Sequence, residues 1–315
     1  MIAGLSRPTR NPGEHMDILR TGLVAGLVLA HAGAWARNDP LPLPVAETLA
    51  VEVYFDQPEL AVFLPRERVA MATSDGLLPT LLVMGLESKA ERKGASEIAP
   101  VRDRLIDYGF KEAFAPVLRA RLASPGLSPS PQLTWSRSTI VSKTEASQMP
   151  PQAMVLLPYF AMDRNFEQLF VRLDAQLVDR TVLPNGALKV EERISRRYEF
   201  AFLLPADMEA SPANWAALGA GKLAALLEQA GSQVMDMLAY DFSAQGRAQW
   251  DARIRGTDTV LDDEQFDGRE ERRGEHWVWV RTENDGVAGV RGYQRMTPEM
   301  ITALGTGSGS AGTLP

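Results

Sequence analysis

The 315-residue chain has no cysteine, which removes disulfides and thiolate-bound zinc from the possible means of holding or using a fold. Histidine is nearly as scarce. Of three, His15 and His31 lie in an N-terminal leader, leaving His276 alone in the remainder. A zinc site needs three or four nitrogen or sulfur ligands. General-base chemistry near neutral pH most often uses a histidine, so both roles are reduced to one side chain. His276 sits next to Trp277 in a strand-like run and is expected to be a structural or surface residue. Long apolar runs are missing too. A spanning helix needs roughly 20 residues, and the two most apolar segments, 21–32 and 77–86, fall short of it. No internal repeat appears at any period.

What the N-terminus does contain has the order of an export signal. Arg20 precedes the apolar stretch Thr21–Ala32, and Ala34-Trp35-Ala36 supplies the small-x-small site that a signal peptidase reads. Residues 1–36 are therefore expected to be a signal peptide, with Met16 as a second possible start that would leave 1–15 untranslated. No cysteine stands at the cleavage point, so lipoprotein anchoring is excluded. At the other end, residues 305–315 are dominated by Gly, Ser and Thr and predict a disordered tail.

The leader carries Arg7, Arg10 and Arg20 against Glu14 and Asp17, one net positive charge, so its removal takes the formal charge from −7 to −8. An acidic surface repels phosphate backbones, and no nucleic-acid partner is expected. Arg193, Arg196 and Arg197 alternate with Glu191, Glu192 and Glu199, a pattern that predicts paired or solvated strand faces. With 45% apolar residues, segment 37–304 is long enough to build a core as a single α+β domain, with a possible subdivision at the Ser/Pro stretch 124–132.

Periodicity predicts the elements. Residues 49–55 and 60–64 read as two strands joined by a tight turn. Apolar spacing over 98–123 predicts an amphipathic helix broken near Gly109 and bent at Pro116. Strands are expected over 133–141, 153–160, 169–182 and 188–204. The last two form a hairpin at Pro184-Asn185-Gly186, with Val171, Leu173, Ala175 and Leu177 inward and Arg172, Asp174 and Gln176 in water. Ser211-Pro212 caps a helix running to 242 with an apolar stripe through Leu223, Leu226, Leu227, Ala230, Val234, Met237 and Leu238. Trp277–Arg281 and Val290–Tyr293 close the chain as a hairpin. The predicted fold is α+β: an antiparallel sheet with two main amphipathic helices packed on one face, plus the C-terminal hairpin.

Motifs for chemistry fail on inspection. Asp263, Gln265, Asp267 and Gly268 occupy positions one, three, five and six of a calcium loop, but position twelve is Gly274 where a glutamate is required. Gly221-Lys222 ends like a phosphate loop, yet Ala216 and Leu223 replace its first glycine and its Ser/Thr. Close packing of small residues against a strand is the simpler account of Gly219–Lys222. Asp163, Glu167, Asp174 and Glu199 lie near the sheet as candidates for carboxylate chemistry, though a chain with 40 acidic residues places some such pair by chance. No cofactor and no catalytic or metal residue is assigned. The expected function is a non-enzymatic binding or accessory protein of the bacterial cell envelope, periplasmic or secreted. Leu77, Leu78, Leu81, Leu82, Met84 and Leu86 read either as part of a core helix or as the protein's docking face for an envelope protein or a membrane surface. A hydrolase using paired carboxylates and a small-ligand carrier with a pocket between the 212–242 helix and the sheet stay open as alternatives.

Overall fold

The computed structural model describes residues 48–63, 94, 96–123, 127–128, 130–136, 148–184, 188–249, 258–261, 264–284 and 287–303. The leader, segment 77–86, the turn residues 185–187 and 285–286, and the tail 305–315 lie outside the described residues.

Alternation builds the centre. In β4 (Gln152–Asp163), β5 (Gln168–Val182) and β6 (Leu188–Leu203), successive antiparallel pairing runs through Leu156↔Ala175 and Leu173↔Tyr198. Val171, Leu173, Ala175 and Leu177 on β5, with Tyr198, Phe200 and Phe202 on β6 and Leu204 just beyond it, enter one core as the alternation predicts. Shorter strands extend the sheet: β1 (Ala50–Tyr54), β2 (Ala61–Phe63), β3 (Gln132–Ser136), β9 (Arg269–Arg273), β10 (Trp277–Asn284) and β11 (Val287–Arg295). Their order is β3-β1-β4-β5-β6-β11-β10-β9, with β2 also on β4, and β7 (Asp258–Leu261) pairs separately with β8 (Glu264–Asp267). The fold is thus mixed α/β around a large, mostly antiparallel sheet.

Two parts of the sheet differ from the sequence reading. Segments 49–55 and 60–64 do not form a hairpin with each other: β1 lies parallel to β3 and β4, and β2 is parallel to β4. The closing hairpin β10/β11 forms as expected, but β11 joins β6 in parallel. Short local turn signals cannot distinguish a hairpin from two strands that each seek the same long neighbour. The gap between β1 and β2 is closed by a side chain. Gln57 donates through Nε2 to the Phe160 carbonyl at 2.5 Å and accepts from the Phe160 amide at 3.1 Å, replacing a missing strand partner for both groups.

Helices α1 (Ala99–Arg104) and α2 (Phe110–Leu122) break at 105–109 as the sequence suggests, with Pro116 inside α2. The predicted 212–242 helix is two. Ser211 Oγ accepts from the Asn214 amide at 3.2 Å to open α3 (Pro212–Ala217), and α4 (Ala220–Asp241) starts anew after Gly219 at φ +85°. That positive φ explains glycine at 219. A β carbon added at Gly219 or Gly221 would meet no group within 4 Å, so close packing is not the reason for these glycines. The stripe residues from Leu223 to Leu238 are buried, α4 contacts β5, β6 and β11, and α2 contacts α4. Short helices α5 (Ala244–Ala248) and α6 (Pro298–Ala303) complete the set. Among the described residues no helix is long and apolar enough to cross a membrane.

Candidate functional site: paired charges and an overhanging hairpin

The face of β5 and β6 turned away from α4 is not simply in water, because Arg172 and Gln176 are buried. Register explains how. Arg172 stands opposite Glu199, and Glu199 stands opposite Arg291 of β11, so three charges fall in one row across three strands. Arg172 Nε donates to Glu199 Oε2 at 2.7 Å, with a second bond from Nη2, and Arg291 Nε lies 3.6 Å from the other oxygen. Two residues along, Arg197 Nε donates to Asp174 at 2.7 Å. Further out, Arg180 grips Glu52 with both terminal nitrogens at 2.6 Å, and Tyr54 donates to the same carboxylate at 2.9 Å. Bidentate guanidinium contacts of this kind are the strong, geometrically specific class of ion pair.

Burial alone would push the Glu199 carboxyl up, but Arg172, Arg291 and Arg197 outweigh it and hold it below the usual carboxylate range. A depressed folded value stabilises the fold above the unfolded carboxylate range, and that contribution is lost as pH falls through the folded value. The acid limb of thermal stability should therefore be steeper for the unaltered chain than for Glu199→Gln. The variant, less stable at neutral pH, should approach the unaltered chain as pH falls below the ordinary carboxylate range. Parallel acid limbs in a melting series from pH 7 to 3 would contradict this assignment.

A second array lies beneath the C-terminal turn of α4. Asp241 is 0% exposed and Arg281 2%. Arg281 Nη2 donates to Asp241 Oδ1 at 2.6 Å and its Nε to Glu271 Oε1 at 2.9 Å. Tyr198 donates to the other Asp241 oxygen at 3.0 Å, Tyr240 donates to Glu271 at 3.2 Å, and Arg269 also binds Glu271. Burial opposes charging Arg281, yet the two carboxylates overcome it and raise its pKa. Burial, followed by the Asp241 charge, lifts Tyr198 well above the ordinary phenol range, so its hydroxyl stays a donor. Sequence reasoning missed this node, although the signal was present: Asp241 continues the apolar stripe of α4, and Arg281 continues the inward alternation of Trp277 and Trp279.

The four acids singled out from the sequence do not converge. Asp163 accepts from the Gln168 and Asn165 amides at 2.8 and 3.4 Å and so caps the β4–β5 turn. That turn contains Phe166 at φ 59°, whose carbonyl accepts from Trp215 Nε1 at 2.8 Å. Desolvation, then Asp163 and Glu264, raises exposed Glu167, while Asp174 and Glu199 are taken up by arginines. His276 is exposed, 3.7 Å from Glu275. Of the calcium-like run, Asp262 and Asp263 lie outside the described residues, and Glu264 bonds to Arg295 at 2.6 Å. Among the described residues no group of three potential ligands could hold a metal ion. The docking set Leu77, Leu78, Leu81, Leu82, Met84 and Leu86 lies outside the described residues.

The central hairpin is unusually long. Strands usually run to roughly 10 residues at most, whereas β5 and β6 have 15 and 16. β4 pairs no further than Gln152 opposite Asp179, and β11 pairs only from Arg197 onward. Among the described residues the hairpin thus extends past its paired neighbours on both sides, and Val182 and Leu183 at the end of β5 are 49% and 38% exposed. Its flank over 188–196 carries Lys189, Glu191, Glu192 and Arg193, with a register shift at Leu177/Val178. Both are devices that discourage strand addition. No protein family, curated protein or solved structure matches this chain.

Proposed function

We propose that the chain is an exported, non-enzymatic binding or accessory protein of the bacterial cell envelope, working in the periplasm or outside the cell. The observation that carries this reading is the long β5–β6 hairpin, which among the described residues extends past its paired neighbours, is charged along 188–196 and carries exposed Val182 and Leu183 at the end of β5. Single exposed apolar residues are ordinary; two at the end of one long hairpin suit a protein partner. The apolar set Leu77, Leu78, Leu81, Leu82, Met84 and Leu86 supplies a second docking face in the same reading, toward an envelope protein or a membrane surface. The two longest helices, α2 and α4, then form one layer over the inner face of the sheet.

The alternatives draw less support. A carboxylate hydrolase would use two of Asp163, Glu167, Asp174 and Glu199; Asp174 and Glu199 are engaged by arginines, Asp163 accepts from turn amides, and Glu167 is exposed. A carrier would need room between α4 and the sheet, where a methyl group on Gly292 would already overlap Phe200 and Met237.

A photo-activated cross-linker at Leu183, in the native host, is expected to yield a discrete adduct in the periplasmic fraction with a chain beginning at Arg37. The same cross-linker at Ile106, exposed but remote in sequence from the hairpin, should not. The double variant Val182→Asp, Leu183→Asp should reduce complex formation while changing folding stability by no more than the scatter of surface substitutions, about 0.5 kcal/mol. Equal labelling from both positions would count against the hairpin as a docking element.

A further inference from the structure

Helix α6 meets the sheet through an uncommon acceptor. Gln294 of β11 stands between Phe202 of β6 and Trp277 of β10 and is 5% exposed. Its Oε1 accepts from Gln229 Nε2 of α4 at 3.0 Å, which sets its own Nε2 toward α6, and that nitrogen donates to Met300 Sδ at 3.7 Å. A buried amide donor is costly to leave poorly paired. Here, among the described residues, it ends on a thioether, which is a weak acceptor.

The helix itself is short and shallow. Its Ile301 amide donates to the Thr297 carbonyl at 3.0 Å, its Met300 amide to Thr297 Oγ1 at 3.3 Å, and Ile301 packs against the main core. The line from Gln229 through Gln294 to Met300 thus joins α4, β11 and α6, and its weak link is the sulfur. Met300 is half-buried, within reach of a small oxidant in water. Met154, Met162, Met235, Met237 and Met296 are at most 1% exposed.

We propose that Met300 is a reversible oxidation site at which sulfoxide formation tightens α6 against the sheet. With hydrogen peroxide as oxidant, the sulfur lone pair attacks one oxygen, and an S–O bond forms as the O–O bond breaks. The departing hydroxide takes the proton left on the transferred oxygen and leaves as water, so the sulfur is oxidised and the peroxide reduced. Dedicated reductases return methionine sulfoxide to the thioether. Oxidation of a packed methionine usually loosens its site, because a polar oxygen enters apolar surroundings. At Met300 the sulfur already faces an N–H. An oxygen bent off the sulfur fits between the two atoms at an ordinary N–H···O length of about 2.9 Å, so a weak bond gives way to a strong one with neither residue displaced. The clasp is independent of the docking reading, because neither Gln294 nor Met300 belongs to the β5–β6 hairpin.

The test treats the full chain with dilute hydrogen peroxide and follows it by peptide mapping and hydrogen exchange. Met300 is expected to become sulfoxide before the core methionines 154, 162, 235, 237 and 296 do. In the oxidised chain the Ile301 amide should exchange about fivefold more slowly, the effect of one ordinary hydrogen bond gained. Gln294→Leu removes the donor, and in that variant oxidation of Met300 should speed exchange at Ile301 instead. Met300→Gln, which brings a carbonyl acceptor to the same place and keeps the buried amide, should slow exchange with no oxidant present and so carries the test should Gln294→Leu not fold. Met300→Leu lacks the sulfur, and peroxide should leave its Ile301 exchange unchanged. Faster exchange at Ile301 in the oxidised unaltered chain would overturn the proposal, as would oxidation of the core methionines ahead of Met300 or equal slowing in Met300→Leu.

Discussion

Truncating Arg281 to alanine is expected to lower folding stability by about 3–5 kcal/mol, the usual result of leaving buried charge without its partner. The guanidinium is the shared partner of Asp241 and Glu271, and Asp241 is wholly shielded from water. Without Arg281, Tyr198 remains as a neutral donor to Asp241, while Glu271 keeps Arg269 and Tyr240. The loss weighs most on Asp241, the more deeply buried of the two acids. Adding Asp241→Asn to Arg281→Ala should recover part of the loss, giving a coupling of at least about 1 kcal/mol in a double-mutant cycle followed by urea unfolding. A loss under about 1 kcal/mol for the single variant would show that water reaches the node and that it contributes little.

Gly289→Ala should be nearly as damaging, for a steric reason alone. Gly289 pairs with Arg197 where β11 first meets β6, and a methyl group there would overlap the Arg197 carbonyl oxygen, a backbone atom that cannot rotate away. The strands must separate or shift, at about 3 kcal/mol, the upper part of the usual range for overpacking. In a domain of this size that corresponds to a melting temperature lower by on the order of 10 °C. The same substitution at Gly221 has the opposite expectation. Nothing lies within 4 Å of its β-carbon position in α4, so Gly221→Ala should stabilise by about 0.4–1 kcal/mol through the reduced entropy of the unfolded chain. Calorimetric melting of the two variants checks both signs, and loss of stability in both would mean that the first turn of α4 is more confined than its surroundings indicate.

The contrast between these glycines shows what local sequence can and cannot carry. Both sit among small or apolar neighbours and look alike in the chain; one touches a distant strand that precedes it and the other touches nothing. Likewise, the alternation of Val171 to Leu177 disclosed the buried face of β5, because period two is a local property. The fate of the other face was not local. Arg172 is buried because Glu199 and Arg291 happen to stand beside it on two other strands, and no count of charges along the chain specifies that register.

The inward residues of β5, β6 and α4, the break before α2, the hairpins β5/β6 and β10/β11, and the mixed α and β character were all legible along the chain. Each follows from spacing, capping or turn chemistry within a few residues. Packing settled the rest: β1 and β2 both run along β4, β11 lies parallel to β6, Gly219 divides one expected helix into two, and Asp241 meets Arg281. Those outcomes depend on which distant groups compete for the same backbone edge or the same buried charge, and such competition is resolved only once the elements have come together.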